Sequence, residues 1–99
     1  MSNQQIAQTI VNQLGGNKFQ AMTGAKFCAN AKQNGVVFSF KGCRKANTCW
    51  ITLEDNDTYS MQIEKWVGTK IATIKSVQDV YAEQLVTIFE NVTGLVTSL

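Results

Sequence analysis

The apolar positions change their period along the chain. Ile6, Ile10 and Leu14 recur at i, i+4 and i+8, with Ala7 and Val11 beside them, which predicts a helix over residues 2–14. Ser2 is the expected N-cap, and Gln5 three residues on completes a capping box. Gly15-Gly16 is placed to end that helix. Residues 17–24 fit two descriptions, a loop or a short helix capped by Asn17, carrying Phe19 and Met22 and stopped by Gly24. From Ala25 the pattern turns to strand. Asn34-Gly35 is the strongest hairpin signal, because a type I′ turn needs positive φ at both central positions. It would join a strand near 25–31 to Val36–Phe40.

Beyond a polar, basic loop at 41–47, the period is two. In Thr48–Glu54, Cys49, Ile51 and Leu53 share one face, and Thr48, Trp50 and Thr52 the other. A turn at Asp55-Asn56-Asp57 leads to Thr58–Val67, with Tyr59, Met61, Ile63 and Val67 inward and Ser60, Gln62, Glu64 and Trp66 outward. Gly68 interrupts, and Thr69–Lys75 fits one more strand. Residues 77–92 carry a helical stripe of Val77, Val80, Tyr81, Leu85, Ile88, Phe89 and Val92, with Ser76 as cap, Asp79 closing a capping box and Gly94 as stop. The last leucines, Leu95 and Leu99, are expected to fold back onto the core. The sum is one α+β domain over 1–99. A four- or five-stranded antiparallel meander carries the N- and C-terminal helices on one face, in two layers.

Composition narrows the chemistry. The chain has 99 residues, 44% hydrophobic and 16% charged, which is globular rather than disordered. It has no histidine, which excludes Ser-His-Asp and Cys-His nucleophile pairs, a histidine base and histidine metal ligands. Cys28, Cys43 and Cys49 show no CxxC spacing, and the carboxylates show no metal-binding spacing. The glycines near Lys18 and Lys26 do not match a phosphate loop. No enzyme activity, metal or cofactor is therefore expected. An odd cysteine count fits a reducing compartment, and neither a signal peptide nor a bilayer-length apolar run is present, so the expected setting is cytoplasmic, with no membrane.

The charge is split. Residues 1–53 carry only cations (Lys18, Lys26, Lys32, Lys41, Arg44 and Lys45), and 54–99 hold all seven acids against Lys65, Lys70 and Lys75, giving halves of +6 and −4. Lys41, Arg44 and Lys45, near Lys26 and Lys32 and the rings of Phe38, Phe40 and Trp50, are the residue types that single-stranded nucleic-acid binders use. Trp50 and Trp66, turned away from the helices, mark a patch for a protein partner. Glu54, Asp55 and Asp57 at a hairpin tip, with Asp79, Glu83 and Glu90 along the last helix, form an acidic surface. The dipole also allows a homodimer, the basic half of one copy meeting the acidic half of another.

Two stretches bear a resemblance. Asn12-Gln13-Leu14-Gly15-Gly16-Asn17-Lys18-Phe19, with Ala21-Met22-Thr23-Gly24-Ala25-Lys26, resembles the opening of small uncharacterised proteins encoded by tailed bacteriophages and other mobile elements. Val80-Tyr81-Ala82-Glu83-Gln84-Leu85, Ile88-Phe89-Glu90 and Thr93-Gly94-Leu95 resemble their closing helix, and Asp57-Thr58-Tyr59 also fits. The resemblance implies a non-enzymatic protein that binds a host protein or protein–nucleic-acid complex in the host cytoplasm. The natural candidate is a defence system, inhibited in the anti-CRISPR or anti-restriction manner. The alternative is a small nucleic-acid-binding module.

Overall fold

The computed structural model describes residues 3–30 and 34–95. In chain order the elements are α1 (Asn3–Leu14), α2 (Gly16–Thr23), β1 (Lys26–Asn30), β2 (Gly35–Ser39), β3 (Thr48–Leu53), β4 (Tyr59–Val67), β5 (Lys70–Val80), a 3-10 turn (Ala82–Gln84) and α3 (Leu85–Thr93). The strands form one open antiparallel sheet in the order β1-β2-β3-β4-β5, so the expected α+β meander is the observed fold, with five strands. The expected cap Ser2, Lys32 and the final Leu99 lie outside the described residues.

The helical periods of α1 place Ile6, Ile10 and Leu14 in the core. A short helix is observed in the next segment, but it starts at Gly16 with Gly15 at the cap position, so Asn17 lies inside it and does not cap it; Phe19 is buried from α2, and the Gly24 N–H closes the helix on the Gln20 carbonyl at 2.8 Å. All five phenylalanines, Phe19, Phe27, Phe38, Phe40 and Phe89, meet in one cluster with centroids 4.8–6.0 Å apart. Each such pair contributes about 0.5–1.5 kcal/mol beyond its area. The cluster ties α2 and α3 to β1 and β2. Cys49, Ile51, Met61 and Ile63 continue the inward face, as their alternation required.

Gly35 is not the centre of a type I′ turn. It is the first residue of β2, paired with both Asn30 and Thr52, and only Asn34 before it has positive φ, at 43°. Glycine is needed there for closeness: a Cβ would stand 2.1 Å from the Ile51 carbonyl oxygen. Gly68 does serve a turn. It opens the two-residue connection from β4 to β5 with φ of 60°, as the first central position of a type II′ hairpin demands.

The main correction concerns residues 77–92. The helix begins only at Leu85; residues 70–80 are strand, and the Tyr81 N–H donates to Gln84 Oε1 at 2.9 Å at the entry to the 3-10 turn. Ser76 and Asp79 therefore cap nothing. The cause is a bulge: β4 advances from Tyr59 to Met61 while β5 passes from Val80 to Val77, and Asp79 takes φ of 57°. The extra residue turns Val77 and Val80 to the same face at a spacing of three, which reads as a helical stripe. Asp79 accordingly leaves the acidic helix face it was expected to share with Glu83 and Glu90.

β4 and β5 have 9 and 11 residues against 5, 5 and 6 for the others, so their hairpin extends past the helices as an arm. Val67, expected inward, is 62% exposed on that arm for want of anything to cover it.

Candidate functional site

All helices lie on one sheet face, and the described residues provide no layer over the other. The register places Trp50 opposite Gln62 and Trp66 opposite Ile71 on that open face, where Trp50 and Trp66 were expected. Between the two indoles sits Glu64. Trp50 Nε1 donates to its Oε1 at 2.7 Å and Trp66 Nε1 to the same oxygen at 2.9 Å. Gln62 Nε2 donates to Oε2 at 2.7 Å. Glu64 lies on the outward face, as its alternation placed it, yet it is only 6% exposed, covered by the rings it holds. No cation is among those three partners, so the carboxylate charge is carried by neutral donors, each made stronger by that charge.

Asn47 fixes the clamp from behind. Its Nδ2 donates to the Trp66 carbonyl at 2.8 Å, the Trp66 N–H donates to its Oδ1 at 2.8 Å, and its own N–H donates to the Glu64 carbonyl at 2.9 Å. The side chain thus substitutes for one more residue of strand beside β4. Trp66 remains 40% exposed and Trp50 half-buried, so both rings present a free edge in a set position.

Beside them lies a trough of about 650 Å³, lined by Trp50, Thr52, Glu54, Asp55, Gln62, Glu64 and their polar neighbours Ser60, Ser76, Gln78 and Asn34. No Lys or Arg lines it. A smaller hollow of about 350 Å³ continues to Asn56 and Asp79. Glu54, Asp55 and Asp57 are exposed at the β3–β4 turn, and the Ser60 hydroxyl donates to Glu54 Oε1 at 2.8 Å. The expected acidic surface is therefore divided. Glu83 in the 3-10 turn and half-buried Glu90 in α3 belong to the helical layer, while Asp79 joins the turn acids.

Lys41, Arg44 and Lys45 are exposed on the 40–47 connection. The Lys41 stem lies over Gly24, with its N–H on the Thr23 carbonyl at 2.9 Å, which sets its charge near the C-terminus of α2. Phe38 and Phe40, expected as companions for these cations, are core residues. The companions are instead on the arm: the register sets Lys65, Lys70 and Lys75 on the one face of the β4–β5 hairpin, opposite that of Trp66 and Ile71.

Cys43 and Cys49 are free thiols, and Cys49 is fully buried. Burial, with the Glu64 charge adding to it, pushes the Cys49 thiol far above its ordinary range, so it stays protonated and unreactive. Burial likewise raises Tyr59, against a lowering hydrogen bond from Gln13. Among the described residues no group of acids and cysteines has metal-binding geometry, and no helix is long and apolar enough to cross a membrane.

Glu64, Gln62 and Asn47 were not legible as functional positions. The alternation of β4 put Gln62, Glu64 and Trp66 on one face, but only the β3–β4 register brings Trp50 to them. Fold and site define a small antiparallel α+β module with one uncovered, tryptophan-bearing sheet face. No family model, curated protein or solved structure matches the chain.

Proposed function

We propose that the protein is a non-enzymatic binding module that occupies a surface of a host protein with its uncovered sheet face. The observation that carries this is the clamp: two tryptophans locked by one buried carboxylate at the edge of an open trough. Rings already fixed lose little freedom on docking, and tryptophan is the residue type most enriched at interface hot spots. The resemblance to phage and mobile-element proteins supports a bacterial defence machine as the target, a CRISPR effector complex or a restriction enzyme, blocked by steric occupation.

The test is affinity capture from nuclease-treated bacterial host lysate, with phage challenge of cells that express the protein. The expected result is one stoichiometric protein partner and relief of CRISPR or restriction immunity. Both should be lost in Trp66→Ala and in Gln62→Arg, and kept when Lys41, Arg44 and Lys45 are all changed to Ala. Retention of partner by the two face variants would overturn the assignment to this face.

One observation favours a second reading, a nucleic-acid-binding module. Lys26, Lys41, Arg44, Lys45, Lys65 and Lys70 gather at the arm end of the sheet. On that reading single-stranded DNA or RNA binds with a log–log salt slope of about −0.7 per phosphate contacted. No mobility shift at low salt would remove it.

A further inference from the structure

The open face is polar along β3, β4 and β5 but nearly bare of cations. Trp50, Gln62 and Ser76 stand in one row across it, and Thr52 and Ser60 in the next. Glu54 follows β3 at one end of the trough, with Asp55 beside it, both exposed. Among the described residues no Lys or Arg lines the trough or the hollow that carries it on to Asp79. The register turns Lys65, Lys70 and Lys75 to the other face, with Ile63 and Val67. Lys26 does share the open face, but it lies three strands from Glu64, through Ser39 and Thr48, about 14 Å at ordinary strand spacing.

The opposite end of the trough is electron-rich for a different reason. Glu64 is buried there, and the three donors that hold it bring no positive charge. An indole whose N–H donates to a carboxylate is polarised, so that its π face becomes more negative, and both indoles here do so. Cations bind tryptophan faces through that field, arginine most often. The trough therefore runs between two places that favour positive charge, the indole pair and the Glu54 and Asp55 carboxylates. Trp50 and Glu54 are four residues apart along β3 and its end, about 13 Å at the rise of a strand.

We propose that the occupant of the trough is an extended, basic segment of the partner protein, with two arginine or lysine side chains four residues apart. Charge complementarity selects it, and the spacing follows from the trough. An extended chain has the same rise as β3, and its residues i, i+2 and i+4 share one side. The first cation lies on the indoles and the second against Glu54 and Asp55. The side chain between them rests on the hydroxyls and amide of Thr52, Ser60 and Gln62. Arginine suits both places better than lysine, because its planar guanidinium stacks on rings and takes carboxylates bidentately. The segment lies over the sheet and uses no strand edge. This rests on the partner-binding reading of the face and adds to it the chemistry of what is bound.

The test is titration of the full chain with two capped, nine-residue Gly/Ser peptides carrying arginine or glutamate at their third and seventh positions, followed by tryptophan emission. Both tryptophans of the chain lie at the site, and the peptides have none. The arginine peptide is expected to shift emission saturably and to bind at least tenfold more tightly than the glutamate peptide. Its affinity should fall at least fivefold between about 50 and 500 mM salt, as screening shortens. Glu54→Gln combined with Asp55→Asn should weaken it at least tenfold while circular dichroism stays native. Changing Lys41, Arg44 and Lys45 together to Ala should not weaken it. No saturable shift, an equal response to the two peptides, or indifference to the double substitution overturns the basic occupant. Capture from lysate separates this from the face reading: a protein partner lost in Trp66→Ala but kept by the Glu54→Gln, Asp55→Asn variant leaves the face in place and overturns the basic segment.

Discussion

Glu64→Gln is the sharpest probe of the open face, because it changes charge and almost nothing of shape. Glutamine keeps one acceptor for the indoles of Trp50 and Trp66 but offers an amide where Oε2 took the Gln62 donor. Hydrogen bonds to a charged group are worth about 1.5–3 kcal/mol and neutral ones about 0.5–1.5, so each of the three loses about 1 kcal/mol. The neutral side chain returns part of this, since no charge need then be kept from water under two rings. The expected net loss is about 2 kcal/mol, a large share of the 5–15 kcal/mol typical of such a domain. Urea denaturation at 25 °C measures it. With a slope of about 1–3 kcal/mol/M, the midpoint falls by roughly 1–2 M. The chain has only two tryptophans and both bond to Glu64, so native emission should also shift. Trp50→Phe deletes one donor, and its cycle with Glu64→Gln should show coupling of about 1 kcal/mol. If Glu64→Gln melts at the parent midpoint with unchanged emission, the carboxylate does not hold the rings and the preorganised platform is refuted.

Gly35→Ala should cost at least about 3 kcal/mol, because the new Cβ meets backbone oxygen at 2.1 Å and β2 and β3 must part. Gly68→Ala, with open space but φ of 60°, should cost only about 1–2 kcal/mol; equal thermal midpoints for the two would contradict the close-approach argument. Alkali should destabilise the fold through Cys49. Its folded thiol titrates above the unfolded value of about 8.5, so stability is full below that pH and falls by about 1.4 kcal/mol per unit above it, or about 2 kcal/mol by pH 10. Tyr59 adds in the same direction above about pH 10. Cys49→Ala should flatten the decline between pH 8.5 and 10, which denaturation at several pH values reads. Asn47→Ala removes both side-chain bonds to the Trp66 backbone, so amide exchange at Trp66 should speed by at least tenfold while the β2 amides keep their protection.

How much of this could be read along the chain depends on the range of the interaction. The stripe of α1 and the alternation in β3 and β4 are local periods, and Ile10, Cys49, Ile51, Met61 and Ile63 are buried as those periods required. The placement of Trp50 and Trp66 on the open face follows from the same alternation. The clamp does not, since Trp50 and Glu64 are 14 residues apart and meet only through the pairing of β3 with β4. Nor was it legible that a carboxylate on the outward face would be the least exposed polar group of that face. Its burial comes from two neighbours long enough to fold over it. Asn34-Gly35 carried a sound hairpin signal for a different reason: the glycine is required by a third strand, which no turn rule contains.

The bulge at Asp79 shows how one residue can redirect a functional reading. Taken as helix, residues 77–92 put Asp79 in a stripe with Glu83 and Glu90, on the helical layer. Taken as a bulged strand, the same residues extend β5 to 11 positions and carry Asp79 to the end of the sheet that holds Glu54, Asp55 and Asp57. Lys70 moves with it, to the far end of that strand, beside the basic 40–47 connection. The +6 and −4 halves of the chain therefore do not become halves of the molecule. Lys26, Lys41, Arg44 and Lys45 of the first half go to one end of the sheet and Glu54, Asp55, Asp57 and Asp79 of the second to the other, because a meander sends alternate connections to alternate ends, and Lys65 and Lys70 join the basic end although they belong to the acidic half of the sequence. A strand count one too low, or a helix begun eight residues early, would dissolve that polarity. The basic arm follows from it.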